Sequence, residues 1–179
     1  VAYSDNDGNR CGIGGDDKAG VFICLELLDK LDNVKVFFPV AEETGCQGTR
    51  QADKEFFKDV GYAIQFDSTE NNTMSKTLMG VKLYKEDGDF IEKCKDVILE
   101  HGITDWLNHP YTDTMVLKEM FDFSCLNFAA GYYGWHSNYE YVVIEDVENA
   151  IKLGERLLNI LGENKYSYKH KPTTWSLLN

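Results

Sequence analysis

Four short polar clusters in this chain could do chemistry together. Asp16 and Asp17 lie in GGDDKAG (residues 14–20), and Glu42 and Glu43 are adjacent. Asp67 ends the run YAIQFD, and His136 sits in GYYGWHSNYE (residues 131–140). Carboxylates sharing one crevice repel each other, and loss of water raises their pKa values. A divalent cation relieves both penalties. Carboxylate and imidazole without a thiolate suit zinc, manganese or cobalt rather than an iron–sulfur centre. Paired glutamates can then divide the work of hydrolysis, one ligating metal while the other takes a proton from water. Each cluster also has a plainer reading. Asp16 or Asp17 could cap a helix, Glu42 and Glu43 could be a solvated loop pair, Asp67 could begin a turn, and a lone His136 could be packed or surface-exposed.

Elements able to bring these clusters together can be read from the pattern. Asp5 to Gly8 (DNDG) is a hairpin turn signal between residues 1–3 and 10–13. Val21, Cys24, Leu25, Leu28 and Leu31 recur at helical spacing after Asp17. Residues 34–41 (VKVFFPVA) predict a buried strand, with Pro39 marking a bulge or its end. A short helix is expected over residues 51–60, strands over 62–67, 77–84, 124–130 and 141–144, and helices over 89–101, 113–121 and 145–161. Gly102 reads as a helix-ending residue, and Thr112 or Asp113 as a cap. Strands alternating with helices predict an α/β fold of three layers, helix/sheet/helix, around a mostly parallel mixed central sheet. Sites in such sheets lie beyond the C-terminal ends of the strands, where all four clusters fall.

Composition bounds the function. The 179 residues carry a net charge of −12 and are 43% hydrophobic, which fits a folded core and disfavours a nucleic-acid partner. No apolar run reaches the length of a membrane span, so no membrane partner is expected. Five cysteines without a C-x-x-C pair fit a reducing, cytoplasmic compartment better than a disulfide framework. The absence of linker composition or repeats predicts a single domain over 1–179. Because Val1 opens in what reads as a strand, that domain is expected to lack its N-terminal portion.

GGDDKAG, EETG, a strand ending in FD, and HSNYEYVVIEDV occur in the order seen in co-catalytic zinc exopeptidases, and the sequence resembles that superfamily from about Cys11 to Leu161. GGDDKAG resembles the peptidase T-like branch most closely, while the short interval between Asp67 and His136 suits a member without an inserted lid or dimerisation domain. The resemblance implies that Asp16 bridges two metal ions, that the Asp16–Asp17 bond is cis, and that Glu42 is the general base. It implies Glu43 and His136 as ligands of one metal and Asp67 as a ligand of the other. Asp113, in a Thr-Asp pair, and Glu140 match substrate-binding or supporting positions, although a helix cap remains open for Asp113. The resemblance also calls for a His-x-Asp motif upstream of Asp16, and no histidine precedes Asp16 here. One metal should therefore be held well and the second poorly.

The activity so implied is aminopeptidase hydrolysis of small peptides by metal-activated water, with zinc as cofactor and manganese or cobalt as substitutes. Two other readings stay open. A deacylase or carboxypeptidase of N-acyl amino acids would need an arginine for the substrate carboxylate, and only Arg10 and Arg50 lie near the motifs. A non-catalytic binding module could use Tyr132, Tyr133, Trp135 and Tyr139 as its surface; the same residues could equally be pocket wall or core.

Overall fold

The computed structural model describes residues 1–109 and 111–169. In chain order the elements are β1 (Ala2–Asn6), β2 (Asn9–Cys11), α1 (Gly15–Lys30), α2 (Gln47–Arg50), β3 (Tyr62–Ser68), β4 (Thr73–Leu78), β5 (Val81–Lys82), α3 (Asp89–Glu100), β6 (Asp105–His109), α4 (Asp113–Met120), β7 (Ser124–Ala129), β8 (Tyr132–Tyr133), β9 (Tyr141–Val142) and α5 (Ile144–Leu161). The fold is α/β with a mixed sheet. β3 and β7 pair in parallel, as do β4 and β6, and these are the long pairings. Antiparallel joins are short: β4 meets β7 at Met74 and Ser75, and β5 at Thr77 and Leu78. A second, antiparallel sheet runs β2-β1-β9-β8. It ties the segment leading into α1 to the loop that carries His136.

β7 (SCLNFA) is buried throughout, as a strand covered on both faces must be. α1 packs on β3 and α5, and α3 packs on α5. Helices α3 and α5 present the apolar stripes read from their spacing, with Phe90, Ile91, Cys94, Val97 and Ile98 on one and Val147, Ile151, Leu153, Leu157 and Leu161 on the other. The first hairpin turns through Asp7 and Gly8, both at positive φ, and the Asp5 carboxylate accepts the Gly8 N–H at 2.9 Å.

Several expectations need correction. Residues 34–41 form no strand; their chain finds no ladder partner among the described residues. Apolar content buries part of this segment, with the Phe37 ring edge-on to Phe57 at 5.3 Å, but apolarity cannot supply hydrogen bonds. Residues 34–38 and the β3 residues 62–67 instead line a common cavity of about 1030 Å³. Residues 51–60 make successive turns rather than a helix. There the Asp53 carboxylate accepts the Glu55 N–H at 2.9 Å and competes with helical bonding. The strand expected over 77–84 is broken by Met79 and Gly80, both at positive φ, which fold β4 back onto β5. β6 was not anticipated, because DWLNH alternates neither in hydrophobicity nor in burial.

Gly20 is where α1 meets β3. A Cβ there would lie 2.1 Å from the Phe66 carbonyl oxygen and 2.3 Å from Asp17 Oδ1, and a backbone oxygen cannot move aside. Gly20→Ala should therefore destabilise the chain by about 1–3 kcal/mol, the usual cost of overpacking. Urea unfolding checks this, and an unchanged midpoint would show that α1 does not seat on β3 this closely.

Candidate metal centre and active site

α1 begins irregularly, and the irregularity exposes a ligand. Gly14 is left-handed, Asp16 and Asp17 have non-helical backbone angles, and their peptide bond is cis, as the resemblance implied. Asp17 accepts the Gly20 N–H, so it does cap the regular part of the helix. Asp16 is left free of that duty. Its Oδ2 lies 3.2 Å from His136 Nε2, and the same nitrogen lies 3.0 Å from Glu43 Oε1. One ligating atom from each of Asp16, Glu43 and His136 falls within 4.8 Å of the others. Two carboxylate oxygens and an imidazole nitrogen at that spacing fit a tetrahedral zinc site with its fourth position open. These three side chains would hold the metal.

Glu140 is the tie between the two ligand-bearing segments. Only 4% exposed, its carboxylate accepts the Gly14 N–H at 2.6 Å and the Asp16 N–H at 2.9 Å. It therefore fastens the Asp16 segment to the loop that carries His136. Glu42 and Glu43 sit on a tight turn in which the Gly45 and Cys46 N–H groups bond to the Glu42 carbonyl. Glu42 is half-buried beside the cavity, and the Tyr111 hydroxyl donates to the Glu43 carbonyl at 3.0 Å.

Asp67 stands at the C-terminal end of β3, at a register shift between Phe66 and Ser68. Asn127 pins this irregularity: its Oδ1 accepts the Asp67 N–H and its Nδ2 donates to the Asp67 carbonyl. Gln65 Nε2 donates to Asp67 Oδ2 at 3.0 Å. The Asp67 carboxylate is close enough to feel Asp17, Glu42 and Asp16 but stays outside the three-atom cluster. Asp113 does not act as a helix cap. Thr112 is the cap position and makes no capping bond, while the nearly buried Asp113 carboxylate takes the Thr49 hydroxyl.

Acids so placed are hard to ionise without a cation. Burial, reinforced by Asp17, Glu42, Asp16 and Asp113, pushes Asp67 up to about 9. Burial, then Asp113 and Glu43, raises Glu42 to about 7, and burial followed by Glu43 raises Asp16. Asp17 opens on the cavity, yet surrounding protein and the Asp16 charge push it up to about 8. His136 is raised by its hydrogen bond to Glu43.

Gln65, Asn127, Thr49 and Tyr111 were missed in the sequence. A signal existed for two of them: Gln65 and Asn127 are single polar residues inside otherwise apolar strands (YAIQFD and SCLNFA). Thr49 and Tyr111 carried none, since their partners are distant in the chain.

The model of one peptidase family, the M42 glutamyl aminopeptidases, matches residues 5–153. The chain belongs to that family. This corrects the peptidase T-like assignment drawn from GGDDKAG, a motif that surrounds a ligand and is too local to decide between branches. No curated protein matches the sequence. Among solved structures, the chain is similar to aminopeptidase APDkam598 from the archaeon Desulfurococcus kamchatkensis, with 18% identity and a TM-score of 0.57. That match covers 86% of this chain and 50% of the archaeal one, so the chain spans about half the length of the structure it resembles. At this identity the likeness is one of fold. No helix among the described residues is long and apolar enough to cross a membrane.

The raised acids set a pH dependence. Between the ordinary carboxylate range near pH 4 and their raised values of about 7 to about 9, Glu42, Asp17 and Asp67 stay protonated when folded and ionise when unfolded. Their contribution is complete at low pH and is lost as pH rises through the folded values. The metal-free chain should therefore melt at progressively lower temperature as pH rises through this window, and saturating zinc should oppose the loss. Thermal melts of chelated protein check it; a melting temperature that climbs with pH would show these acids ionised and otherwise compensated.

Proposed function

We propose that this chain carries the centre of a zinc-dependent aminopeptidase that releases N-terminal residues from small peptides. The observation that carries the reading is the convergence of Asp16, Glu43 and His136 within 4.8 Å, with Glu42 next in the chain to a ligand. Membership of the M42 family supports it. When bound, the metal supplies Lewis acidity that polarises the scissile carbonyl and steadies the negative charge that develops on it. Glu42, half-buried beside the cavity and next in the chain to the ligand Glu43, is placed to take a proton from the attacking water and to hand it to the leaving amine. Asp67 is the ligand available to a second metal, held in place by Gln65 and Asn127. With Asp16 its only carboxylate partner from the ligand set, that site should be the weaker of the two.

A free amine, rather than a carboxylate, is the group this site suits. Arg50 donates to the Gly45 carbonyl at 3.1 Å and pairs with Glu119 at 3.9 Å, while Arg10 lies over the Tyr3 ring and reaches the Tyr139 carbonyl. Neither belongs to the cluster of Asp16, Glu43 and His136, whose surroundings are acidic and so favour an ammonium over a carboxylate. The helix/sheet/helix layering expected of the catalytic fold belongs to this reading, as does a reducing, cytoplasmic setting, which the five free cysteines support.

Two substitutions separate the roles. Glu42→Gln should bind zinc as tightly as the parent chain and lose peptide turnover by a factor of about 10² or more, the usual contribution of a general base. His136→Ala should lose zinc. Calorimetric zinc titration with tripeptide and amino-acid amide hydrolysis reads both; loss of zinc in Glu42→Gln would reverse the two glutamates, and retention in His136→Ala would remove it from the ligands.

A further inference from the structure

We propose that Thr49 and Asp113 form a positioning pair that sets the Glu42–Glu43 turn against the rest of the centre. The inference rests on the metallo-aminopeptidase reading and adds to it how the base and its neighbouring ligand are aimed. The turn is rigid within itself. Gly45, Cys46, Gln47 and Gly48 donate their N–H groups to the carbonyls of Glu42, Glu42, Ala41 and Val40. From its N-terminal side it is held by side chains alone, Phe37 against Phe57 and Lys35 on the Phe56 carbonyl, because residues 34–41 make no ladder with β3 or any other described strand. The buried polar contacts that can fix its orientation lie on its C-terminal side.

On that side stands Thr49, fully buried, which donates its hydroxyl to the Asp113 carboxylate at the start of α4. The same carboxylate, 8% exposed, also faces Cys46 from within the turn. α4 is in turn tied to β3. Gln65 Oε1 accepts the Thr112 hydroxyl and the Thr114 N–H, each at 3.0 Å, while Gln65 Nε2 donates to Asp67. Hydrogen bonds joined through the backbone of α4 therefore lead from Asp67 through Gln65 to Asp113, Thr49 and the turn. Other tethers of the turn, namely Tyr111 to the Glu43 carbonyl, His136 to the Glu43 carboxylate, and Arg50 to the Gly45 carbonyl and to Glu119, are exposed and so weaker. A buried hydroxyl on a buried carboxylate is a costly way to gain stability but an effective way to fix geometry, since either group alone would be left unsatisfied.

The test compares Thr49→Val, which matches the volume but cannot donate, with Thr49→Ser, which restores the donor. Zinc affinity is measured by calorimetry, alongside hydrogen exchange at the amides of Gly45, Cys46, Gln47 and Gly48. Thr49→Val should weaken zinc binding by about 10-fold, the lower end of the effect of losing an outer partner of a metal site, because Thr49 acts on Glu43 through the turn. It should also speed exchange in the turn while β3 and β7 keep their protection, and Thr49→Ser should recover both. Asp113→Asn, which keeps an acceptor oxygen, should show the same pattern at smaller size and serves if Thr49→Val does not fold. Unchanged zinc affinity and turn protection in Thr49→Val would overturn the proposal. So would a uniform loss of protection across β3, β7 and the turn, which marks a purely structural role. If the parent chain itself binds no zinc, the metallo-aminopeptidase reading fails, and exchange in the turn alone decides the positioning pair.

Discussion

Seven carboxylates gathered at one end of a sheet must each find a donor, a proton or a cation. Which of the three each one finds sorts the structural acids from the reactive ones. Asp17 has the Gly20 N–H, Asp67 has the amide of Gln65, Asp113 has the hydroxyl of Thr49, and Glu140 has the N–H groups of Gly14 and Asp16. Among the described residues, Asp16 and Glu43 find only His136, and Glu42 only a Cys46 thiol at 3.8 Å. The three acids left poorly satisfied are those of the first metal site and its base, while Asp67, partly satisfied, would serve a second metal. Electrostatic cost is spread across this end and is highest at the more buried Asp67 and Asp17, and a metal ion beside Asp16 would offset part of it.

The scaffold serves that arrangement. β3 and β7 are parallel, β7 fully buried and β3 half-buried along the cavity, and the irregularity after Phe66 re-aims Asp67 under the hold of Asn127. The small antiparallel sheet brings His136 to α1, and Glu140 closes the gap with two backbone bonds. Gly20 allows α1 to approach β3 closely enough for Asp16 and Asp67 to share one cavity. Membership of the M42 family places this machinery among peptidases.

Much of this was legible in the sequence, for identifiable reasons. YAIQFD and SCLNFA read as buried strands because continuous apolarity is what a two-sided strand requires, and α3 and α5 read as helices because one face must be apolar. Asp16, Glu43 and His136 were legible as a set through residue type and order, and the structure brings them together. Residues 34–41 misled because apolar content reports burial and says nothing of a ladder partner. The turn at Met79 and Gly80 was hidden by apolar residues on both sides of it. Asp113 read as a cap from its local position, whereas its partner Thr49 is 64 residues away. Contacts of that range leave no trace in local pattern, and neither did the tie between Gln65 and α4.

Anomalous diffraction at the zinc edge, from crystals grown with zinc, tests the central assignment most directly. The expected result is one strong peak about 2.0–2.2 Å from a carboxylate oxygen of Asp16, a carboxylate oxygen of Glu43 and Nε2 of His136. Zinc bound at other residues, or no zinc between these three side chains, would contradict it.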